Sequence, residues 1–128
     1  MMKPGQGFLA DAIIPKQLPS WLTDEDISYF VETYKSSGYR GGLNWYRNID
    51  RDWAISGGWE RLKIQQPALF IAGANDGVIK FMAKPLEQLP TTVPGLKKTL
   101  IVPDSGHWIQ QQSPAEVNTA ILEFLRPV

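Results

Sequence analysis

The sequence predicts an α/β protein in which two strands, each followed by helix, form part of a parallel sheet. Two short apolar runs carry the prediction, Ala68-Leu69-Phe70-Ile71-Ala72-Gly73 and Thr99-Leu100-Ile101-Val102, and each stops in a polar turn. Each turn leads into a helical pattern, and a βαβα order implies parallel strands covered by helices. The third observation is a lack: the first sixty residues show helical and irregular patterns and no strand. Two strands make a poor parallel sheet, because central strands need neighbours on both edges and helices on both faces. The pattern therefore reads as the end of a larger fold, with a first part over residues 1–59 and a βαβα part over residues 60–128.

Taken in order, residues 1–22 are poor helix or strand material, with Pro15 and Pro19 among short polar stretches. Thr23 then caps an acidic first turn, Asp24-Glu25-Asp26, which suits the positive end of a helix dipole. Ile27, Phe30, Val31 and Tyr34 follow on one helix face, and the helix is expected to stop within residues 36–38. A second helix is expected over residues 43–55, where Trp45, Ile49 and Trp53 recur every four residues. Tyr46 lies about 100 degrees away from Trp45 and so off that stripe. Trp45, Tyr46, Trp53 and Trp59 are read as core more readily than as pocket. After the first strand a broken helical stretch spans residues 79–89, shortened or kinked at Pro85. The last helix has Ser113 as cap, Pro114 at its first position and Glu116 to complete a capping box. Val117, Ile121, Leu122, Phe124 and Leu125 give it an apolar side, and Pro127 ends it.

Composition excludes several classes. The 128 residues carry 13 acidic and 13 basic side chains, so there is no basic field to favour nucleic acid or an anionic membrane. With no cysteine and one histidine, disulfides, thiolate catalysis and His-rich metal sites are ruled out, and no metal or other cofactor is implied. No run approaches the 18 or so apolar residues of a membrane span. The first seven residues resemble neither a signal nor a transit peptide, and the apolar run over residues 8–14 is interrupted by Asp11. A soluble, cytoplasmic protein is the expectation.

Sites in open parallel sheets gather at the carboxyl ends of the strands. Asp76 follows the first strand and His107 the second, so the two can meet in space. A carboxylate there would fix the imidazole tautomer and leave the other ring nitrogen for substrate or water. Their order, acid before histidine, is that of α/β-hydrolases after the nucleophile. Plainer readings stand beside this one. His107 can be a hydrogen-bonded structural residue, Asn75-Asp76-Gly77 is good turn chemistry, and Asp104 is a rival partner by proximity. Gly41-Gly42 and Gly57-Gly58 lack the spacing of a phosphate-binding loop, and Lys97-Lys98 reads as solvated surface.

Longer motifs narrow these choices. The block Thr23-Asp24-Glu25-Asp26-Ile27 with Gly38-Tyr39-Arg40-Gly41-Gly42-Leu43-Asn44-Trp45-Tyr46-Arg47-Asn48 resembles the lid of soluble epoxide hydrolases of the α/β-hydrolase superfamily. Ile71-Ala72-Gly73-Ala74-Asn75-Asp76 resembles that family's charge-relay acid loop, and Asp104-Ser105-Gly106-His107-Trp108 its histidine loop. The resemblance runs from about residue 20 to the carboxyl terminus. It implies the carboxyl-terminal portion of an α/β-hydrolase fold, a partial helical lid followed by the last strands and helices of a parallel sheet. It also implies His107 as general base, Asp76 as its orienting acid and Tyr46 as one of two lid tyrosines that bind the epoxide oxygen. Trp45 and Trp108 are candidate pocket residues.

The family's aspartate nucleophile sits on a strand-to-helix elbow ahead of the lid. No such elbow precedes Thr23, and neither the His-Gly oxyanion loop nor the second lid tyrosine is present. Asp11 and Asp24 follow no strand and do not qualify as nucleophiles. The implied substrates are a small-molecule epoxide and water, with the nucleophile half elsewhere and the 128-residue chain inactive alone. Self-association or a complementing amino-terminal half would cover the missing strands. Another α/β-hydrolase, a haloalkane dehalogenase or an esterase, is the alternative, as is an inactive fragment or partner-binding module.

Overall fold

The computed structural model describes residue 10 and residues 12–126. The readings of the amino-terminal residues before these, and of Pro127 as a helix stop, lie outside the described residues. The chain divides into two compact units, Met1–Gly38 and Tyr39–Val128.

In the first unit, residues 12–22 contain no helix or strand, and α1 spans Asp24–Ser37. Its start is a reciprocal capping box. The Asp26 amide donates to Thr23 Oγ1 at 3.1 Å, while the Thr23 amide and hydroxyl donate to Asp26 Oδ2 at 2.9 and 2.6 Å. The Thr23 hydroxyl, then its amide, hold the Asp26 carboxyl below its ordinary pKa, with burial opposing. The helix ends at Gly38, whose φ of 69° favours glycine and whose amide donates to the Tyr34 carbonyl at 2.8 Å.

The second unit opens with α2 (Arg40–Arg47), α3 (Ile49–Ser56) and a single 3-10 turn, Gly57–Trp59. The one helix expected over residues 43–55 is thus two, broken at Asn48, where φ is −92° and ψ is 0°. The Asn48 amide is shared between the carbonyls of Asn44 and Trp45, at 3.2 and 3.4 Å. Its side-chain Nδ2 donates to the same Asn44 carbonyl at 2.8 Å. An asparagine that bonds the preceding turn in this way competes with the helical ladder and bends it. The tryptophans consequently do not form one packed stripe: Trp45 and Trp53 are each 80% exposed, and Tyr46 and Trp59 are also on the surface. The expected aromatic core is not a core in this chain.

Strands β1 (Ala68–Gly73) and β2 (Leu96–Val102) pair in parallel, with Leu69 opposite Lys98 and Gly73 opposite Val102, and an irregularity between Ala68 and Leu69. β2 begins three residues before the expected Thr99, because Lys97 and Lys98 belong to it on exposed positions; Lys98 Nζ meets Glu123 at 3.2 Å. The predicted buried strands are only partly so. Ala72, Gly73 and Val102 are buried, while the rest of each strand is half-buried or exposed, as two strands that are both edges must be.

The broken helical stretch after β1 proves to be three short helices, α4 (Gly77–Phe81), α5 (Ala83–Glu87) and α6 (Leu89–Thr92). Pro85 and Pro90 sit in the first turns of α5 and α6, where the missing N–H costs no ladder bond. After β2 comes α7 (Ile109–Gln112), which periodicity did not reveal, and then α8 (Pro114–Leu125). Val102, Ile109 and Val117 form the core, with Ile71 and Leu100 packed on it. On α8, Val117 and Ala120 are buried, but Ile121, Leu122 and Leu125 from the expected apolar side are exposed.

The capping box expected at α8 does not form. Ser113 makes no side-chain cap bond; its hydroxyl instead shares a 2.6 Å hydrogen bond with Ser105. A cap of this kind stabilises a helix by about 1 kcal/mol, so the fold forgoes that contribution to tie down the loop after β2. Among the described residues, no helix is long and apolar enough to cross a membrane, and no cluster of three potential metal ligands occurs.

Candidate active site

Parallel pairing brings the carboxyl ends of β1 and β2 to the same end of the sheet, where Gly73 and Val102 are register partners. Three residues beyond Gly73 stands Asp76, and five beyond Val102 stands His107. The two loops are stitched together by backbone: the Ala74 amide donates to the Val102 carbonyl at 2.9 Å, and the Asn75 amide to the Ser105 carbonyl at 2.8 Å. Gly73 permits this approach. A Cβ there would overlap the carbonyl oxygens of Ser105 and Gly106, so the acid strand can lie against the histidine loop only if it carries glycine at this point. The other loop turns at Asp104, whose φ is 56°, a left-handed conformation that aspartate tolerates better than most side chains.

The result is a direct pair, with His107 Nδ1 lying 3.0 Å from Asp76 Oδ2. The other carboxyl oxygen, Oδ1, accepts the Val78 amide at 2.8 Å and caps α4. The carboxyl side chain is 14% exposed and the imidazole 61%. Three influences lower the Asp76 pKa: the Val78 N–H first, then the hydrogen bond from His107 and its charge; partial burial works against them. An ionised carboxylate only accepts, so Nδ1 carries the proton and, in the neutral ring, Nε2 keeps its lone pair. That tautomer follows from the acceptor opposite it. The Trp108 ring stands edge-on to the imidazole, with centroids 5.4 Å apart and planes at 81°. What remains is a basic nitrogen on an exposed ring, held in one tautomer.

Of the residues singled out in the sequence, the fold brings Asp76, His107 and Trp108 together. Asp104, the rival acid, shapes the turn and is not the hydrogen-bond partner of His107. Tyr46 and Trp45 lie exposed on α2, and among the described residues neither has a hydrogen bond or ring contact with the pair. Sequence reading missed the far side of the histidine loop. There the Gly106 amide donates to Gln112 Oε1, and the hydroxyl of Ser105, a residue 3% exposed, meets that of Ser113. The only visible signal was the serine before Pro114, which looked like a cap.

An acid and a histidine delivered in that order to the carboxyl end of a parallel strand pair match the closing part of an α/β-hydrolase fold, and that is the class the fold defines. The comparisons with known proteins narrow it. Epoxide hydrolase A of Mycobacterium tuberculosis is 36% identical over 126 residues, which is 98% of this chain and 38% of that protein. The bifunctional epoxide hydrolase 2 of Sus scrofa is 40% identical over 104 residues, 81% of this chain and 18% of its own length. The crystal structure of epoxide hydrolase A from Mycobacterium thermoresistibile superposes with a TM-score of 0.81 at 41% identity, covering 88% of this chain and 34% of that one. An epoxide hydrolase from an endophytic Streptomyces gives a TM-score of 0.89 at 43% identity, covering 95% and 37%. No family model matches the chain.

The chain belongs to the epoxide hydrolase family of α/β-hydrolases, and it spans about 38% of the length of the first of these relatives. That partial coverage accords with the carboxyl-terminal portion that its motifs resemble.

Proposed function

We propose that this chain supplies the base, its orienting acid and one oxygen-binding tyrosine of an epoxide hydrolase whose nucleophile lies outside these 128 residues. The observation that carries the reading is the 3.0 Å contact of His107 Nδ1 with Asp76 Oδ2, on an imidazole that leaves its second nitrogen available.

The reaction runs in two steps. A carboxylate oxygen of the nucleophile attacks an epoxide carbon, the carbon–oxygen bond of the ring breaks, and the departing oxygen takes a proton from a lid phenol. Tyr46 fills that role: a neutral phenol can donate as the alkoxide charge grows, and the alkoxide remains attached to the substrate. An ester now links substrate and enzyme. His107 Nε2 then takes a proton from water, the resulting hydroxide attacks the ester carbonyl, and the bond from that carbon to the substrate oxygen breaks. The departing alkoxide takes the new carboxyl proton, which releases a vicinal diol and restores the carboxylate, and the imidazolium returns its proton to the Tyr46 phenolate. Asp76 holds the ring in position and stabilises the imidazolium that forms between these events. The epoxide and water are the only substrates the chemistry requires, and the neutral, cysteine-free composition fits work in the cytoplasm. Esterase or dehalogenase chemistry would use the same pair, but the names of the relatives and the Asn44-Trp45-Tyr46-Arg47 motif favour epoxide opening.

The test is trapping in the complete hydrolase. His107→Gln should still open epoxide yet fail to release diol, so mass spectrometry finds the substrate mass added to an aspartate, with turnover lower by at least about 100-fold. Normal diol release by that variant would refute the reading. The purified 128-residue chain by itself should form no diol.

A further inference from the structure

The geometry points to Gln112 and Ser113 as positioning residues for His107, acting through the two residues that precede it. The imidazole is 61% exposed, and among the described residues its ring nitrogens have one hydrogen-bond partner, Asp76. Such a ring keeps its place only as well as the backbone beneath it does. That backbone, between Val102 and Ile109, contains no helix or strand and turns through the left-handed φ of Asp104.

Two side chains from the junction of α7 and α8 reach back to hold it. The Gln112 side-chain oxygen accepts the Gly106 amide, one residue before the histidine. The Ser113 hydroxyl meets that of buried Ser105, two residues before it, at 2.6 Å. From the other side, the Ser105 carbonyl accepts the Asn75 amide, adjacent to Asp76. Ser105 is therefore gripped on its side chain by the α8 start and on its main chain by the acid loop. The clasp spans both members of the pair and fixes the separation between them.

Local preference argues that this is a directed use of the two side chains. Ser113 precedes Pro114 and stands three residues before Glu116, the arrangement that favours an ordinary helix cap, yet its hydroxyl is turned to Ser105. Gln112 ends a helix of four residues and places its amide oxygen on an N–H that would otherwise have no protein acceptor among the described residues. Water could satisfy either group separately; only a side chain anchored in α7 and α8 also limits where the loop can go. The role in catalysis rests on the reading of His107 as the base, whereas the positioning itself does not.

Because His107 is the only histidine, its ring nitrogens can be observed without ambiguity in the 15N-labelled 128-residue chain. The expected signature is a protonated Nδ1 with a slowly exchanging proton and an unprotonated Nε2. Gln112→Met keeps the length and removes the acceptor; Ser113→Ala removes the hydroxyl. Each should cost the slow Nδ1 proton and shift the ring towards a mixture of tautomers, while the backbone signals of β1 stay in place. Gln112→Glu and Ser113→Thr, which retain an acceptor and a hydroxyl, should restore the signature. A ring unchanged by Gln112→Met and Ser113→Ala overturns the assignment, as does an unsubstituted chain without the protected Nδ1 proton. If the clasp variants behave as expected but the complete hydrolase forms no diol, the positioning stands and the functional reading falls.

Discussion

At Asp76 one carboxyl group serves two neighbours: Oδ1 caps α4 through the Val78 amide and Oδ2 receives His107. Both bonds favour the ionised form, and its pKa is lowered accordingly. The sign of the linkage follows. A carboxyl depressed in the folded state adds stability at any pH above its ordinary value, and that contribution disappears as pH falls through the lower, folded value. Acid unfolding should therefore show a slope below about pH 4 that Asp76→Asn reduces, and equilibrium unfolding across that range measures it. The same substitution replaces an acceptor-only group by an amide, frees the choice of tautomer, and should lower diol release in the complete hydrolase by at least about 100-fold. Gly73 offers a separate check. Gly73→Ala forces a methyl against the Ser105 and Gly106 carbonyls, which should destabilise the fold by about 1–3 kcal/mol. It should also move the histidine loop. Unchanged thermal stability together with an unchanged His107 ring spectrum would contradict the close approach. Asp76 and His107 were legible beforehand because each follows a strand at a short, fixed distance. Gln112, Ser105 and Ser113 were not, since their contacts depend on how a loop folds back over a helix end.

Among the elements, α1 forms where its cap, acidic first turn and terminal Gly38 place it, because all of these signals act within a few residues. Thr23→Ala removes the two bonds of the Thr23 hydroxyl, leaves the backbone amide on Asp26, and should cost about 1 kcal/mol of helix stability. Amide hydrogen exchange in the first turn of α1 reads the loss, and unaltered protection there would count against the box. The α2–α3 break shows where periodicity misleads: the four-residue recurrence of Trp45, Ile49 and Trp53 survives a bend at Asn48 that no hydrophobic pattern registers. At α8 the opposite occurred. The cap signal was present in the sequence, but Ser113 had a second possible partner in Ser105, and a pair eight residues apart cannot be seen from local rules. β1 was recovered with its observed bounds because it is apolar throughout, whereas β2 was cut short at Lys97 and Lys98, whose charges face away from the core.

For the whole molecule, the two-stranded sheet and the exposed ring surfaces of Trp45, Trp53 and Phe81 leave much apolar area uncovered in the 128-residue chain. Its core is correspondingly slight; among the described residues no large side chain is completely buried. The isolated chain should therefore self-associate, which sedimentation at several concentrations would register, and bind a dye specific for exposed apolar surface. A monomer at every concentration, with no dye bound, would run against that expectation. The parallel pairing of β1 and β2 has one more consequence. Sliding one strand by two residues preserves which side chains face the core but displaces its end by about 6.6 Å, far beyond the reach of the bond between Asp76 and His107. The lone imidazole is thus a gauge of strand register. During refolding, its protected proton should appear only in molecules whose two strands have aligned correctly, and its arrival times the commitment to the native pairing.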